Sequence, residues 1–152
     1  MNVPHYPQEQ GNSCLAACVR MALAFYGAEH DEAELRRLFR TRGMGTSPAR
    51  VMIALPQLGF QAIVFDGAVG LLVDNLADGL PCIAHLWTEH LSYWQDRDPV
   101  IHAVVVLALT KDQVLINDPA FDHGAQSIPF QEFLNAWRSA GYLLMVIRPE
   151  EE

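Results

Sequence analysis

Positive charge is scarce in this chain and nowhere gathered. Ten Lys and Arg stand against 18 Asp and Glu in 152 residues, a formal net charge of −8. With no basic cluster, neither nucleic acid nor an anionic membrane is expected as a partner. Long apolar runs are also missing. The most apolar one, residues 104–109, has the length of a strand and falls far short of the roughly 18 or more residues of a membrane span, so no transmembrane segment is expected. The N-terminus has no basic region followed by an apolar stretch and does not read as a signal peptide. Cysteine is sparse and odd in number, at three. That argues against a disulfide framework, leaves at least one thiol free and fits a reducing cytoplasm. Internal repeats, low-complexity segments and linkers are absent. The length suits one domain with its own core, over residues 1–152.

What is present begins with PQEQGNSCLAAC, residues 7–18, where a polar, turn-rich segment runs into a cysteine at the start of an apolar helical pattern. Ser13 is the expected N-cap. Leu15, Cys18, Val19, Ala22 and Phe25 fall at helical spacing, and Gly27 stops the helix. A second helix is predicted over residues 31–40 with Asp31 as cap, and a Gly-rich loop leads to a third over residues 49–58, closed by Gly59. FQAIVF reads as a strand, AVGLLVDNLADG as a helix and LPCIAHLW as a strand. HAVVVLAL and QVLINDP form a hairpin, PFQEFLNAWRSAG a helix and YLLMVIR a last strand. Helices crowd the first half and strands the second, which predicts an α+β fold.

Cys14 is the first candidate for chemistry. A residue at a helix start faces unpaired N–H groups and the positive end of the dipole, which favours thiolate. Cys18 and Cys82 sit in apolar surroundings and read as core. A cysteine nucleophile needs a histidine, which in turn needs an orienting group. Of six histidines, His5, His30, His90 and His123 lie in polar segments and read as surface residues. His85, inside a strand, reads as a buried, hydrogen-bonded residue. His102 begins a strand whose hairpin partner ends at Asp118. With the turn centred on Thr110, Val106 faces Val114, Val104 faces Ile116 and His102 faces Asp118, close enough for the carboxylate to reach the imidazole. A β-bulge would shift that register. The alternative for NDPAFDHG is an ordinary turn.

Together with their surroundings, Cys14, His102 and Asp118 resemble a known family: the papain-like peptidase domain of bacteriocin-exporting ABC transporters, the double-glycine leader peptidases. The matching stretches are PQEQGNSCLAACVRMALAFYG, GTSPARVMIALPQLGF, LPCIAHL, HAVVVLALTKDQVLINDP, and Phe133 with Trp137. They occur in family order over nearly the whole chain. The resemblance implies a papain-like fold, a helical N-terminal half packed on an antiparallel sheet from the C-terminal half. It makes Cys14 the nucleophile, His102 the general base and later acid, Asp118 its orienter, and Gln8 the oxyanion donor with the Cys14 backbone N–H; Gln10 is the alternative donor. The implied reaction is hydrolysis of a peptide bond after a Gly-Gly leader motif, without a cofactor or metal. A peptide or protein is the substrate and a peptide-exporting transporter the partner, at the cytoplasmic face of the membrane. The chain departs from the family pattern of an acidic residue followed by Cys-Gly: it has Ser13-Cys14-Leu15, and Leu15 is expected to narrow the cleft.

Three other readings stand beside this one. A zinc site from Cys14, Cys18, Cys82 and His85 is disfavoured because residues three apart on a strand point to opposite faces. A non-catalytic peptide-binding module would keep the fold without turnover. Deamidation or transpeptidation would keep the triad and change the reaction.

Overall fold

Side chains alternate across every strand, and both faces of the sheet are apolar, so helices are needed on both sides. The computed structural model describes residues 1–94 and 96–151. Its helices are α1 (Cys14–Phe25), α2 (Glu32–Leu38), α3 (Pro48–Ala54), α4 (Val69–Ala77) and α5 (Phe130–Ser139). Its strands are β1 (Phe60–Asp66), β2 (Cys82–Trp87), β3 (Ile101–Leu109), β4 (Gln113–Asn117), β5 (Gln126–Pro129) and β6 (Leu143–Pro149). They form one antiparallel sheet in the order β1-β6-β2-β3-β4-β5.

One face of the sheet, with Ile83, Ala103, Val105, Leu107, Met145 and Ile147, packs against α1, Leu35 of α2, and Val51 and Ala54 of α3. The other, with Ala84, Leu86, Val104, Val106, Val114, Ile116 and Val146, packs against Leu72 of α4 and Phe133, Ala136 and Trp137 of α5. The α+β architecture is as the sequence predicts. The helical first half covers one face only; α4 and α5, which interleave with the strands, cover the other. The strand β5 and the short 3-10 turns Thr88–His90 and Ser92–Trp94 are not foreseen, because each is too brief to show a period.

Two helix ends show how the local sequence closes a helix. Gly59, at φ +84°, ends the 3-10 turn Leu55–Leu58 that prolongs α3, a conformation glycine adopts without penalty. Ser13 occupies the N-cap of α1, but its hydroxyl makes no capping hydrogen bond. It turns back to the preceding loop, accepting the Gln10 N–H at 3.0 Å.

Candidate active site

α1 presents Cys14 as its first residue, half-buried, while Leu15, Ala16, Ala17 and Cys18 behind it are buried. Burial pushes the thiol pKa up. A hydrogen bond to His102, the charge of that imidazole and the backbone N–H groups of Ala103 and Leu15 together outweigh it, and the net shift is downward.

His102 is 4% exposed. Its Nε2–H donates to Asp118 Oδ1 at 2.6 Å, which leaves Nδ1 for the thiol. Burial resists charging the ring, but the hydrogen bonds to Asp118 and Cys14 and their charges raise its pKa to about 9. Asp118 is fully buried. It also accepts the Tyr93 hydroxyl on Oδ2 at 2.6 Å and the Ala120 N–H on Oδ1 at 2.9 Å. Burial alone would raise its pKa; the bond and charge of His102, then Tyr93 and Ala120, bring it below the ordinary value. Trp94 covers the imidazole, with ring centroids 4.8 Å apart. The two shifts, the thiol downward and the imidazole upward, both favour a thiolate beside an imidazolium.

The route to the His102–Asp118 contact differs from the predicted one. Thr110 N–H bonds Gln113 O, so the turn lies further along the chain than a turn centred on Thr110. A bulge between Val106 and Ala108 separates the pairs Leu109↔Val114 and Ala108↔Leu115 from Val106↔Ile116 and Val105↔Asn117. Extending the last register places Val104, not His102, beside Asp118. The contact survives because His102 and Val104 share a face and an imidazole spans the diagonal between strands. Asp118 also closes the turn expected of NDPAFDHG, through Ala120 N–H to its side chain and Phe121 N–H to its carbonyl.

The lead-in is lashed to this same turn. Asn117 Nδ2 donates to Val3 O at 3.0 Å, His5 Nε2 meets Phe121 O at 2.8 Å, and Gln8 N–H donates to Pro119 O at 2.7 Å. His5 is therefore a tether rather than a free surface residue. Gln8 lines a cavity with Gln10, Trp94 and His102. One Nε2–H of Gln8 donates to Gln10 O at 2.7 Å, which leaves the other free. A second cavity, sharing His102 with the first, is lined by Gly11, Cys14, Met44, His85, Ile101 and His102, among others.

Leu15 reaches that cavity but is only 2% exposed and packs in the core, so its side chain does not stand in the cleft as a constriction. His85 is buried as predicted, but its Nδ1 has no hydrogen-bond partner. Burial, with some repulsion from His102, lowers its pKa to about 4 and keeps it neutral. Cys18 and Cys82 are buried in the cores on opposite faces of the sheet, which separates the four members of the conceivable zinc site. Among the described residues no three His, Cys, Asp or Glu side chains gather as metal ligands, and no helix is long and apolar enough to cross a membrane.

Tyr93 and Trp94 were missed by sequence reasoning, although an aromatic pair in a polar segment could have prompted a search for a covered polar group. So was Glu32, which lies fully buried although it occupies the first turn of a short helix.

Residues 2–151 match the Peptidase C39 family. The chain belongs to that family. A C39 relative, the pediocin PA-1 transport/processing ATP-binding protein PedD of Pediococcus acidilactici, is 24% identical over 137 residues, 90% of this chain. The chain spans only 18% of the length of that relative. The peptidase domain of Streptococcus ComA, a bifunctional ABC transporter of a quorum-sensing pathway, superposes with a TM-score of 0.80 at 22% identity, covering 98% of this chain and 100% of that one. A double glycine motif protease from an AMS/PCAT transporter, in complex with its leader peptide, gives a TM-score of 0.73 at 23% identity, covering 98% and 93%. These likenesses show that the chain shares the C39 fold.

Proposed function

We propose that this C39 chain is a cysteine endopeptidase, a single papain-like domain acting through Cys14, His102, Asp118 and Gln8. The observation that carries the reading is the sealed His102–Asp118 pair, 2.6 Å apart, on an imidazole that lines one cavity with Cys14 and lowers the thiol pKa. The Cys14 thiolate attacks the scissile carbonyl carbon. The carbonyl oxygen becomes an oxyanion, received by the free Nε2–H of Gln8 and the Cys14 backbone N–H. The C–N bond breaks as the imidazolium gives its proton to the departing amine, leaving a thioester on Cys14. Neutral His102 then takes a proton from water as the hydroxide equivalent attacks the thioester, and returns it to the sulfur. Asp118 keeps Nε2 protonated and the ring aimed throughout.

The substrate in this reading is a peptide precursor with a Gly-Gly leader, cut after the second glycine and handed to a peptide exporter at the cytoplasmic face of the membrane. Glycine suits the position beside Cys14 because it leaves the scissile carbonyl open to the sulfur with no side chain in the way. Mass spectrometry of leader-like peptides incubated with the protein tests this. Wild type should cleave after Gly-Gly, and Cys14→Ala should bring turnover to background while the protein stays folded. Equal cleavage of peptides with valine in place of the glycines would replace the leader reading with a broader peptidase. Cleavage surviving in Cys14→Ala would end the mechanism.

A further inference from the structure

We propose that Glu32 is a positioning residue for acyl transfer, holding the loop that carries the oxyanion donor from a helix outside the cleft. The inference rests on the roles given above to Cys14 and Gln8. Glu32 is fully buried, an unfavourable place for a carboxylate unless its oxygens are occupied. They are. Oε1 accepts the Glu9 N–H at 2.9 Å and lies 3.1 Å from the Ser13 hydroxyl, while Oε2 accepts Arg36 Nε–H at 2.8 Å. Glu9 follows Gln8 and Ser13 precedes Cys14, so one carboxylate grips both ends of the segment between donor and nucleophile.

The grip reaches Gln8 through the backbone of the loop. Gln10 O accepts Gln8 Nε2 at 2.7 Å and lies 3.0 Å from the Ser13 hydroxyl, and a carbonyl can serve both donors. A charged acceptor draws the hydroxyl proton more strongly than a neutral carbonyl, so with Glu32 in place Ser13 and the Glu9 N–H are both tied to the carboxylate. Without it the Glu9 N–H loses its partner, Ser13 is held only by the loop itself, and the backbone that carries Gln8 and Gln10 loses the anchor that fixes the amide's aim.

A double-mutant cycle of Glu32→Ala and Gln8→Ala tests this, with hydrogen exchange of the Glu9 amide as a readout independent of turnover. The Glu9 amide should exchange at least roughly 10-fold faster in Glu32→Ala. Peptide turnover should fall roughly 10–100-fold in kcat with KM little changed, the size expected of a misplaced group. In the Gln8→Ala background Glu32→Ala should cost almost nothing more, since both changes remove one function. If Glu32→Ala does not fold, Glu32→Gln keeps an acceptor oxygen without the charge, and the same cycle applies. An unaltered Glu9 exchange rate, an unaltered kcat, or losses that multiply independently of Gln8 would overturn the proposal. Turnover persisting in Cys14→Ala, run in the same assay, would overturn the underlying peptidase reading instead.

Discussion

On the Cys14 side of the cleft, residues 9–13 hang on a carboxylate whose own support, Arg36, is about a quarter exposed. On the His102 side, three donors converge on Asp118, and imidazole and carboxylate are 5% and 0% exposed. The first wall is a set of directional bonds that fix where atoms lie. The second is a dry enclosure that fixes which atoms carry protons, because fields between charges are strong where water is excluded. Of the two histidines at the cleft, His102 is raised to about 9 and His85 beside it is lowered to about 4, both in strands. Glu32 on the other wall acts through geometry.

Removing Asp118 should break the sealed wall most severely. Asp118→Ala strands His102, the Tyr93 hydroxyl and the Ala120 N–H in a buried space, at a cost of about 3–5 kcal/mol in unfolding free energy. Asp118 has a lowered pKa, so its stabilisation is fully present above the ordinary carboxylate range and is lost only in stronger acid; pH 7 is the place to measure. Alkylation of Cys14 by iodoacetamide near neutral pH should slow in the same variant, since the imidazolium that lowers the thiol pKa is no longer held. Unchanged stability and alkylation would show that the two walls do not differ in the way described.

His85 sharpens the comparison, because it is sealed without a counter-charge. Its folded pKa of about 4 lies below its ordinary 6.5, so between those values the unfolded chain binds a proton that the folded one refuses. Stability should therefore fall by about 3 kcal/mol on going from pH 7 to pH 4. His102 has the opposite sign. Its raised pKa makes its contribution complete below pH 6.5 and lost only as pH rises through about 9, so it adds no slope in that acid interval. Denaturant unfolding of His85→Gln should lack most of the acid loss; an equal loss in variant and wild type would mean that His85 charges in place.

Tyr93→Phe removes one bond to a buried carboxylate and nothing else of the ring, and should lower stability by about 1.5–3 kcal/mol, measured at pH 7. No change would mean that His102 and Ala120 alone satisfy Asp118. The support of the other wall should matter no more than this. Arg36→Ala leaves Oε2 of the buried Glu32 without its donor, but the guanidinium is about a quarter exposed and water can take its place, so the loss should be about 1–2 kcal/mol. No loss would show that Glu32 does not depend on this ion pair.

Most elements could be read from the chain alone, because helix and strand are written in residues a few positions apart. The apolar spacing of Leu15, Cys18, Val19 and Ala22, the stop at Gly27 and the alternation through β3 are local and need no partner. The polar lead-in before Cys14 marks a helix start for the same reason. The pairing of β3 with β4 was less legible: a bulge at Val106 and Ala108 leaves the apolar pattern intact while moving every pair beyond it, so the His102–Asp118 contact was foreseen from a register the strands do not adopt. Tyr93 on Asp118, Glu32 on Glu9 and Ser13, and the partnerless Nδ1 of His85 join residues separated by a strand, a helix or more. Such meetings depend on which side chains the packed layers bring face to face, and burial then sets how strongly they interact. Sequence by itself determined the elements and singled out the candidate groups; only the tertiary structure decided their register, their partners and the surroundings that set their protonation.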